Sequence, residues 1–291
     1  MQPLYEPIDL DDLIDQANSL EPLPASATRL AEILSQPDWE LEDVVDVVSF
    51  DPGLTGKLLG LANGVTKAAQ DRVSTVDQAV LRLGAGSVLA VAISSGVKPH
   101  LNVALPEYGL SEGELWSRSV AAATVADELR NFTERRLPME LSTAALLHDI
   151  GKLILGRNLD EALLHYLDSA RESEGLSEER AEIEVLGVNH AELGGLVAQN
   201  WNLPQVIVDG VSYHHAPQDF AAVDHDALIA HATLLCSRIS DYIVAGEGRE
   251  LPAMDALLAS SKIRLGLSND AFEALCEEAR DRFEEVRAIY G

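Results

Sequence analysis

Apolar residues recur at spacings of three and four along nearly the whole chain, and stretches that alternate apolar and polar residues are hard to find. The first spacing places apolar side chains on one face of an α-helix, whereas alternation would indicate a half-buried strand. The pattern therefore predicts an all-α fold. The predicted helices cover residues 9–20, 26–36, 40–50, 52–63, 74–84, 85–97, 115–132, 140–157, 159–173, 177–187, 190–201, 204–215, 224–246, 252–260 and 269–289.

One less regular stretch, KPHLNVALPEYGLSEGE at residues 98–114, contains two prolines and two glycines. These residues interrupt helices, so the stretch is interpreted as the connection between two helical bundles. The predicted organisation begins with an N-terminal helix at 1–21 and a main domain at 22–220. This domain divides into a first bundle at 22–97 and a second at 115–220, and the C-terminal helices at 221–291 complete the second bundle.

The charge balance restricts the partners of this chain. Its 291 residues include 21 basic and 48 acidic ones, which gives a formal net charge of −27. Such a surface repels the phosphates of nucleic acids and anionic lipids, so neither nucleic acid nor a membrane is expected as a partner. The N-terminus has no signal-peptide pattern, and Cys236 and Cys276 lack CxxC spacing, so a reducing cytoplasmic location is expected.

Candidate chemistry is concentrated in LLHDIGKLIL, residues 146–155, where His148 and Asp149 interrupt an apolar run. A buried carboxylate is costly unless it contacts a cation or several hydrogen-bond donors. Lys152 lies on the same predicted helix face and could neutralise Asp149 or bind a phosphate. The pair therefore indicates a metal site or the remains of one.

Two protein ligands do not suffice for a transition-metal site, which uses three to six ligands from histidines and carboxylates. His190, His214 and His215 begin or end predicted helices and are the further candidates for ligands. Each could instead cap a helix or face solvent. The other histidines show no spacing to a partner and are interpreted as structural or exposed: His100, His165, His225 and His231.

The segment LLHDIGKLIL resembles the signature of the HD superfamily of metal-dependent phosphohydrolases. The wider pattern is similar to the HDOD subgroup, over roughly residues 22–220. The similar segments are LPASATRLAEIL, VVDVVSFDPGLTGKLLGLANG, STVDQAVLRLGAGSVLAVAI, LWSRSVAAATVA, EVLGVNHAELGGLVAQNWNLP and VSYHHAP. The resemblance implies an all-α bacterial signalling or regulatory protein, with a second half like the HD phosphohydrolases. For most HDOD domains no catalytic activity is assigned.

Two positions depart from the ligand pattern that the resemblance implies. The first ligand histidine is replaced by Arg118 in LWSRSVA, and the final aspartate by Thr233, with His231 two places earlier. Asp241 lies farther along and does not fit the pattern. A guanidinium is always charged and cannot ligate a metal. Arg118 is therefore expected to pair with Asp149 as an internal cation; alternatively it points to solvent, and the remaining cluster binds a metal.

Three functions remain open at this point. The first is a non-catalytic signalling protein that binds other signalling proteins, without a cofactor and with a degenerate metal site, as a monomer or a homo-oligomer. The second is a phosphohydrolase for a nucleotide or cyclic dinucleotide, with Fe, Mn, Zn or Mg bound by a reduced set of ligands and Lys152 near the phosphate. Its ligands would be His148, Asp149, His190 and His214 or His215. The third is a nucleotide sensor that uses Arg118 and Lys152 as phosphate donors.

Overall fold

The computed structural model describes residues 8–64, 72–220, 228–246 and 251–290. Regular structure in these ranges is helical, apart from one antiparallel bridge between Leu105 and Leu110. The all-α prediction is confirmed. The helices are α1 (Leu10–Asn18), α2 (Ala25–Leu34), α3 (Leu41–Ser49), α4 (Pro52–Gly64), α5 (Val76–Leu83), α6 (Ala85–Leu101), α7 (Glu114–Leu129), α8 (Leu141–Leu147), α9 (Lys152–Gly156), α10 (Glu161–Glu174), α11 (Glu178–Leu186), α12 (His190–Asn200), α13 (Gln205–Ser212), α14 (Leu228–Val244), α15 (Ala256–Arg264) and α16 (Asn269–Tyr290).

Helices α2 to α6 pack against one another, and α6 is buried along most of its length. The prediction that irregular structure begins at residue 98 was wrong, because α6 continues to Leu101 and carries Pro99 in its last turn. A proline near a helix end removes one hydrogen bond without breaking the turns before it. The rest of the connection is irregular as predicted, with a short 3-10 helix at Pro106–Tyr108.

The second group of helices is arranged around α7, which packs against α8, α14 and α16. Helix α13 packs between α12 and α14, and α1 packs on α12. Helix α16 also contacts α4, so the last helix of the chain joins the two groups. The subdomain boundaries given above stay predictions.

The single helix predicted over 140–157 was wrong, because α8 ends at Leu147 and α9 begins at Lys152. Between them the backbone forms i→i+3 hydrogen bonds, from Ile150 N to Leu147 O and from Lys152 N to Asp149 O, both 3.0 Å. Such bonds wind the chain more tightly than an α-helix does. His148 and Asp149 therefore lie on a turn between two short helices.

Within the described ranges, no single helix is both long and apolar enough to cross a membrane. The bent pair α5 and α6, at 106° to each other, meets the length and composition criteria when taken together. Cys236 and Cys276 are both buried and unpaired.

Candidate metal centre

Gly151 brings the turn that carries His148 and Asp149 against the start of α12. A Cβ atom at this position would lie 1.9 Å from the carbonyl oxygen of His190 and 2.6 Å from the backbone nitrogen of Gly194. Both atoms belong to backbone, which cannot give way as a flexible side chain can. Only glycine permits this approach, and it places Asp149 beside His190.

His190 is the first residue of α12, whose preceding residue Asn189 caps the helix. Its imidazole is fully buried, and Nδ1 lies 2.7 Å from an oxygen of Glu182. Since a carboxylate only accepts hydrogen bonds, Nδ1 carries the proton and donates it. The other ring nitrogen, Nε2, faces Asp149 Oδ1 at 3.3 Å and His215 Nε2 at 2.9 Å.

The end of α13 supplies the remaining imidazoles. His214 Nδ1 donates to the carbonyl oxygen of Val211 at 2.7 Å, and His148 Nδ1 donates in the same way to Ala145 at 2.8 Å. In the neutral form this arrangement leaves a lone pair on each Nε2. The Nε2 atom of His214 is buried and has no hydrogen-bond partner among the described residues.

These elements bring together most of the residues predicted to be ligands. One donor atom from each of Asp149, His190, His214 and His215 lies within 4.8 Å of the other three. His148 is next to this group, with its Nε2 3.4 Å from Asp149 Oδ2 and its ring 5.4 Å from that of His214. The structure thus places the predicted ligand residues side by side, and metal binding by them stays a prediction.

The donor set fits a divalent transition metal. Nitrogen and oxygen ligands bind Zn²⁺ at about 2.0–2.2 Å. Two ligand atoms of the same ion are therefore no farther apart than the 4.8 Å within which the four donor atoms lie here. The unpartnered Nε2 of His214 supports the same conclusion, since a buried acceptor without a partner is costly. Burial, and then the neighbouring histidines, lower the pKa of His214 and of His215 well below the usual value. Both rings are therefore neutral at pH 7, as metal ligands must be.

Lys152 is the internal cation of this centre. Its Nζ lies 3.1 Å from Asp149 Oδ2 and 2.7 Å from a carboxylate oxygen of Glu178. Burial alone would raise the pKa of Asp149, but His148, Lys152 and His190 together hold it well below the usual range. Burial opposes the charge of His190 as well, yet Glu182 and Asp149 raise its pKa to about 10, so a metal ion would have to displace the proton on its Nε2.

The expected salt bridge between Arg118 and Asp149 was wrong. The guanidinium of Arg118 pairs with Asp241 at 2.8 Å and with Glu114, one turn earlier on α7, at 3.0 Å. Helices α7 and α14 pack side by side, and this brings Arg118 to Asp241. Burial alone would lower the pKa of Arg118, but Asp241, Glu114 and the more distant Asp149 raise it. The alternative, a guanidinium directed only at solvent, does not describe it either.

No residue of α14 replaces the missing last ligand within the described part of the chain. Thr233 is fully buried and its hydroxyl has no hydrogen-bond partner there, but a hydroxyl is a poor substitute for a carboxylate. His231 donates to or accepts from the hydroxyl of Ser261 at 2.8 Å. Asp241, which does not fit the sequence pattern, is engaged by Arg118.

Two further histidines, His100 and His165, lie outside the cluster. His165 is exposed and His100 partly buried, while His225 falls outside the described residues.

The sequence prediction missed Glu178, Glu182 and Tyr108. The carboxylate of Glu182 is buried, and it accepts hydrogen bonds from His190 and from the hydroxyl of Tyr108, the latter at 2.9 Å. Glu178, Glu182 and Leu186 are spaced by four residues, so the two acids lie on the line of the buried leucine of α11. Acidic residues in line with the apolar residues of a helix were the signal in the sequence that could have identified these two acids.

Comparison with known proteins identifies the family to which this chain belongs. The fold is a helical bundle that contains a buried cluster of histidines with one aspartate. A family model for the HDOD domain matches residues 20–217, and the chain belongs to the HDOD family.

Solved structures share the fold. A protein from Shewanella amazonensis SB2B, provisionally described as a phosphohydrolase, is 25% identical with a TM-score of 0.65, covering 96% of this chain and 98% of the other. An HDOD domain protein of unknown function from Geobacter sulfurreducens is 21% identical with a TM-score of 0.63, covering 97% and 98%. A protein from Marinobacter aquaeolei VT8, provisionally described as a signal transduction protein, is 22% identical with a TM-score of 0.67, covering 99% and 62%.

An uncharacterised protein of Treponema pallidum (strain Nichols) is 24% identical over 227 residues. The match covers 76% of this chain but only 43% of that relative, so the chain corresponds to less than half of its length.

Proposed function

We propose that the protein is a regulatory HDOD protein that binds partner proteins, and that its histidine–aspartate centre holds one divalent ion without hydrolysing phosphate esters. The proposal rests on the burial of the side chains that form the centre. The side chains of Asp149 and His190 are 6% and 0% exposed, and His214 is fully buried. Structural metal sites are closed by four protein ligands, whereas catalytic ones keep an open position.

The surroundings of the centre support the same proposal. Arg118 stands where the resemblance implies a first ligand, and its ion pairs with Asp241 and Glu114 keep it occupied. Lys152 is paired with two carboxylates. Both cations that a nucleotide sensor would need already have acidic partners, so the geometry gives that hypothesis no support.

The residues that would hold the ion are Asp149, His190, His214 and His215. A bound ion would supply Lewis acidity and would neutralise the buried carboxylate. The protein's own contribution is orientation: Glu182 fixes the ring of His190, and backbone carbonyls fix the rings of His214 and His148. These contacts orient the rings of His190 and His214 within the ligand group and the ring of His148 beside it.

A second candidate function is phosphohydrolysis, and one observation favours it. His215 keeps 14% of its side chain exposed and lines a cleft of about 500 Å³. A small phosphate ester could reach the centre from this cleft. The similarity to the Shewanella protein, provisionally described as a phosphohydrolase, agrees with this alternative.

The decisive experiment measures metal content and turnover together. We expect about one equivalent of Fe, Mn or Zn per chain, and no hydrolysis of bis(p-nitrophenyl) phosphate or of a cyclic dinucleotide with any of these ions. Asp149→Ala should remove the metal. Turnover that requires the metal and is lost in Asp149→Ala would refute the proposal and establish the second candidate.

Glu182→Gln tests how the centre is oriented. Because Glu182 fixes His190 through its protonated nitrogen, its replacement should weaken Zn²⁺ binding by about 10–100-fold. Competition with a chromophoric chelator measures this affinity. Glu184→Gln, an exposed change on the same helix, is the matched control and should leave the affinity unchanged. Equal affinities in the two variants would show that Glu182 does not position His190.

A further inference from the structure

A separate cavity of about 240 Å³ lies where α4, α5 and α6 meet α7 and α16. It shares no residue with the metal centre. Three arginines line it, Arg82 from α5, Arg130 at the end of α7 and Arg282 from α16. Its other polar lining residues are Ser87, Thr124, Asp127, Glu128 and Asn131.

The three arginines are unusual in a chain of net charge −27 with only 21 basic residues. Two of them retain donors within the described structure. Arg282 bonds only through Nη1, to Glu285 at 2.9 Å, and Arg130 uses Nη1 and Nη2 on the carbonyls of residues 137–139. Arg82 donates to the carbonyl of Ala62. Nε of Arg130, and Nε and Nη2 of Arg282, make no hydrogen bond to any described residue.

The two acids of the cavity are engaged elsewhere. Asp127 accepts hydrogen bonds from the hydroxyls of Ser87 and Ser142 at 2.8 and 2.5 Å, and Glu128 accepts one from Asn131 at 3.1 Å. Neither acid is within ion-pair distance of Arg130 or Arg282. Arg282 also pairs with Glu285, but this contact uses only Nη1 and leaves its other donors available.

We propose that this cavity binds a small anion that carries a phosphate group. The guanidinium fork matches the oxygens of phosphate, and charge-assisted hydrogen bonds of this kind are the strong ones. The volume limits the ligand, since pockets for larger molecules occupy about 300–1,000 Å³. Inorganic phosphate or a small phosphomonoester fits, whereas a nucleotide is too large.

Binding would stabilise the junction between the two groups of helices. Arg82 belongs to α5 in the first group of helices. Arg130, at the end of α7, and Arg282, on α16, belong to the second group. A ligand that binds only the folded protein raises its stability in proportion to the logarithm of its concentration. A thermal shift therefore reports occupancy of the cavity.

The test uses the full chain after removal of metal with EDTA, at constant ionic strength. Isothermal titration and thermal unfolding are followed with inorganic phosphate, glycerol 3-phosphate and AMP. We expect saturable binding of one equivalent of phosphate or glycerol 3-phosphate, and none of AMP. The tighter binder of the first two identifies the source of the phosphate group.

Arg282→Gln should weaken this binding at least tenfold. Arg29→Gln is the matched control, because Arg29 forms the same i,i+3 pair at the same 2.9 Å, with Glu32, on the exposed face of α2 and outside the cavity lining. If circular dichroism shows that Arg282→Gln does not fold, Arg282→Lys replaces it in the test. Lysine keeps the positive charge but lacks the planar guanidinium that can donate two parallel hydrogen bonds, so this variant should also bind phosphate more weakly. Absence of saturable phosphate binding, preference for AMP, or wild-type affinity in a folded Arg282 variant would overturn the proposal.

Discussion

Replacement of Lys152 by methionine should lower the free energy of unfolding by about 3 kcal/mol, at the lower end of the cost of breaking a buried ion pair. The ammonium group is the nearest cation to Asp149, at 3.1 Å, and to Glu178, at 2.7 Å. Methionine fills similar space without charge, so Asp149 stays buried and loses this partner. His190 still donates to Asp149, which keeps the loss from being larger. Urea denaturation at pH 7, after removal of metal with EDTA, measures the difference.

The pH dependence follows from the low pKa of Asp149. A carboxyl whose pKa is lower in the folded than in the unfolded protein stabilises the fold above its unfolded pKa, about 3.9, and this contribution is lost as the pH falls through the folded pKa. The gap between wild type and Lys152→Met should therefore shrink below about pH 4. A gap that stays constant down to pH 3 would contradict this explanation.

Two further variants separate charge from packing. Lys57→Met is the control, because Lys57 is only partly buried and its ammonium bonds to Ser95 near the surface. It should cost less than about 1 kcal/mol, as is typical of surface positions. Adding Asp149→Asn to Lys152→Met removes the unpaired charge and should restore much of the lost stability. If the double variant is as unstable as the single one, the loss comes from packing.

The helices could largely be predicted because their signal is local. Apolar spacing of three and four is set by each segment's own residues, and the predicted ends of most helices lie within a few residues of the observed ones. The histidines at 190, 214 and 215 were also identified as partners of His148 and Asp149, through the resemblance to HD proteins. The structure brings four of these five residues into one ligand group.

The rest depends on contacts between distant segments. The apolar pattern of residues 140–157 continues through the break after α8, so nothing local marks the turn at His148. Arg118 meets Asp241 because α7 and α14 lie side by side, and the chain separates the two by more than a hundred residues. The role of Glu182 likewise appears only when α11 packs beside α12.

Gly151→Ala should have the other large effect, a loss of at least about 3 kcal/mol in the free energy of unfolding, at the upper end of the cost of overpacking. The added Cβ would lie 1.9 Å from the carbonyl oxygen of His190, so either the turn or the start of α12 must move. Either movement also separates Asp149 from His190. Metal affinity should therefore fall together with stability, and both are measured on the same preparation.

Gly56→Ala is the matched control for this change. Gly56 is an exposed residue inside α4, and a Cβ atom there would meet nothing within 4 Å. Alanine favours the helix over glycine by roughly 1 kcal/mol, so this variant should be slightly more stable than wild type and should bind metal equally well. The opposite signs of the two substitutions distinguish a specific backbone contact at Gly151 from a general intolerance of added methyl groups. If Gly151→Ala were as stable as wild type, the turn would not be held against α12, and the geometry assigned to the centre would be incorrect.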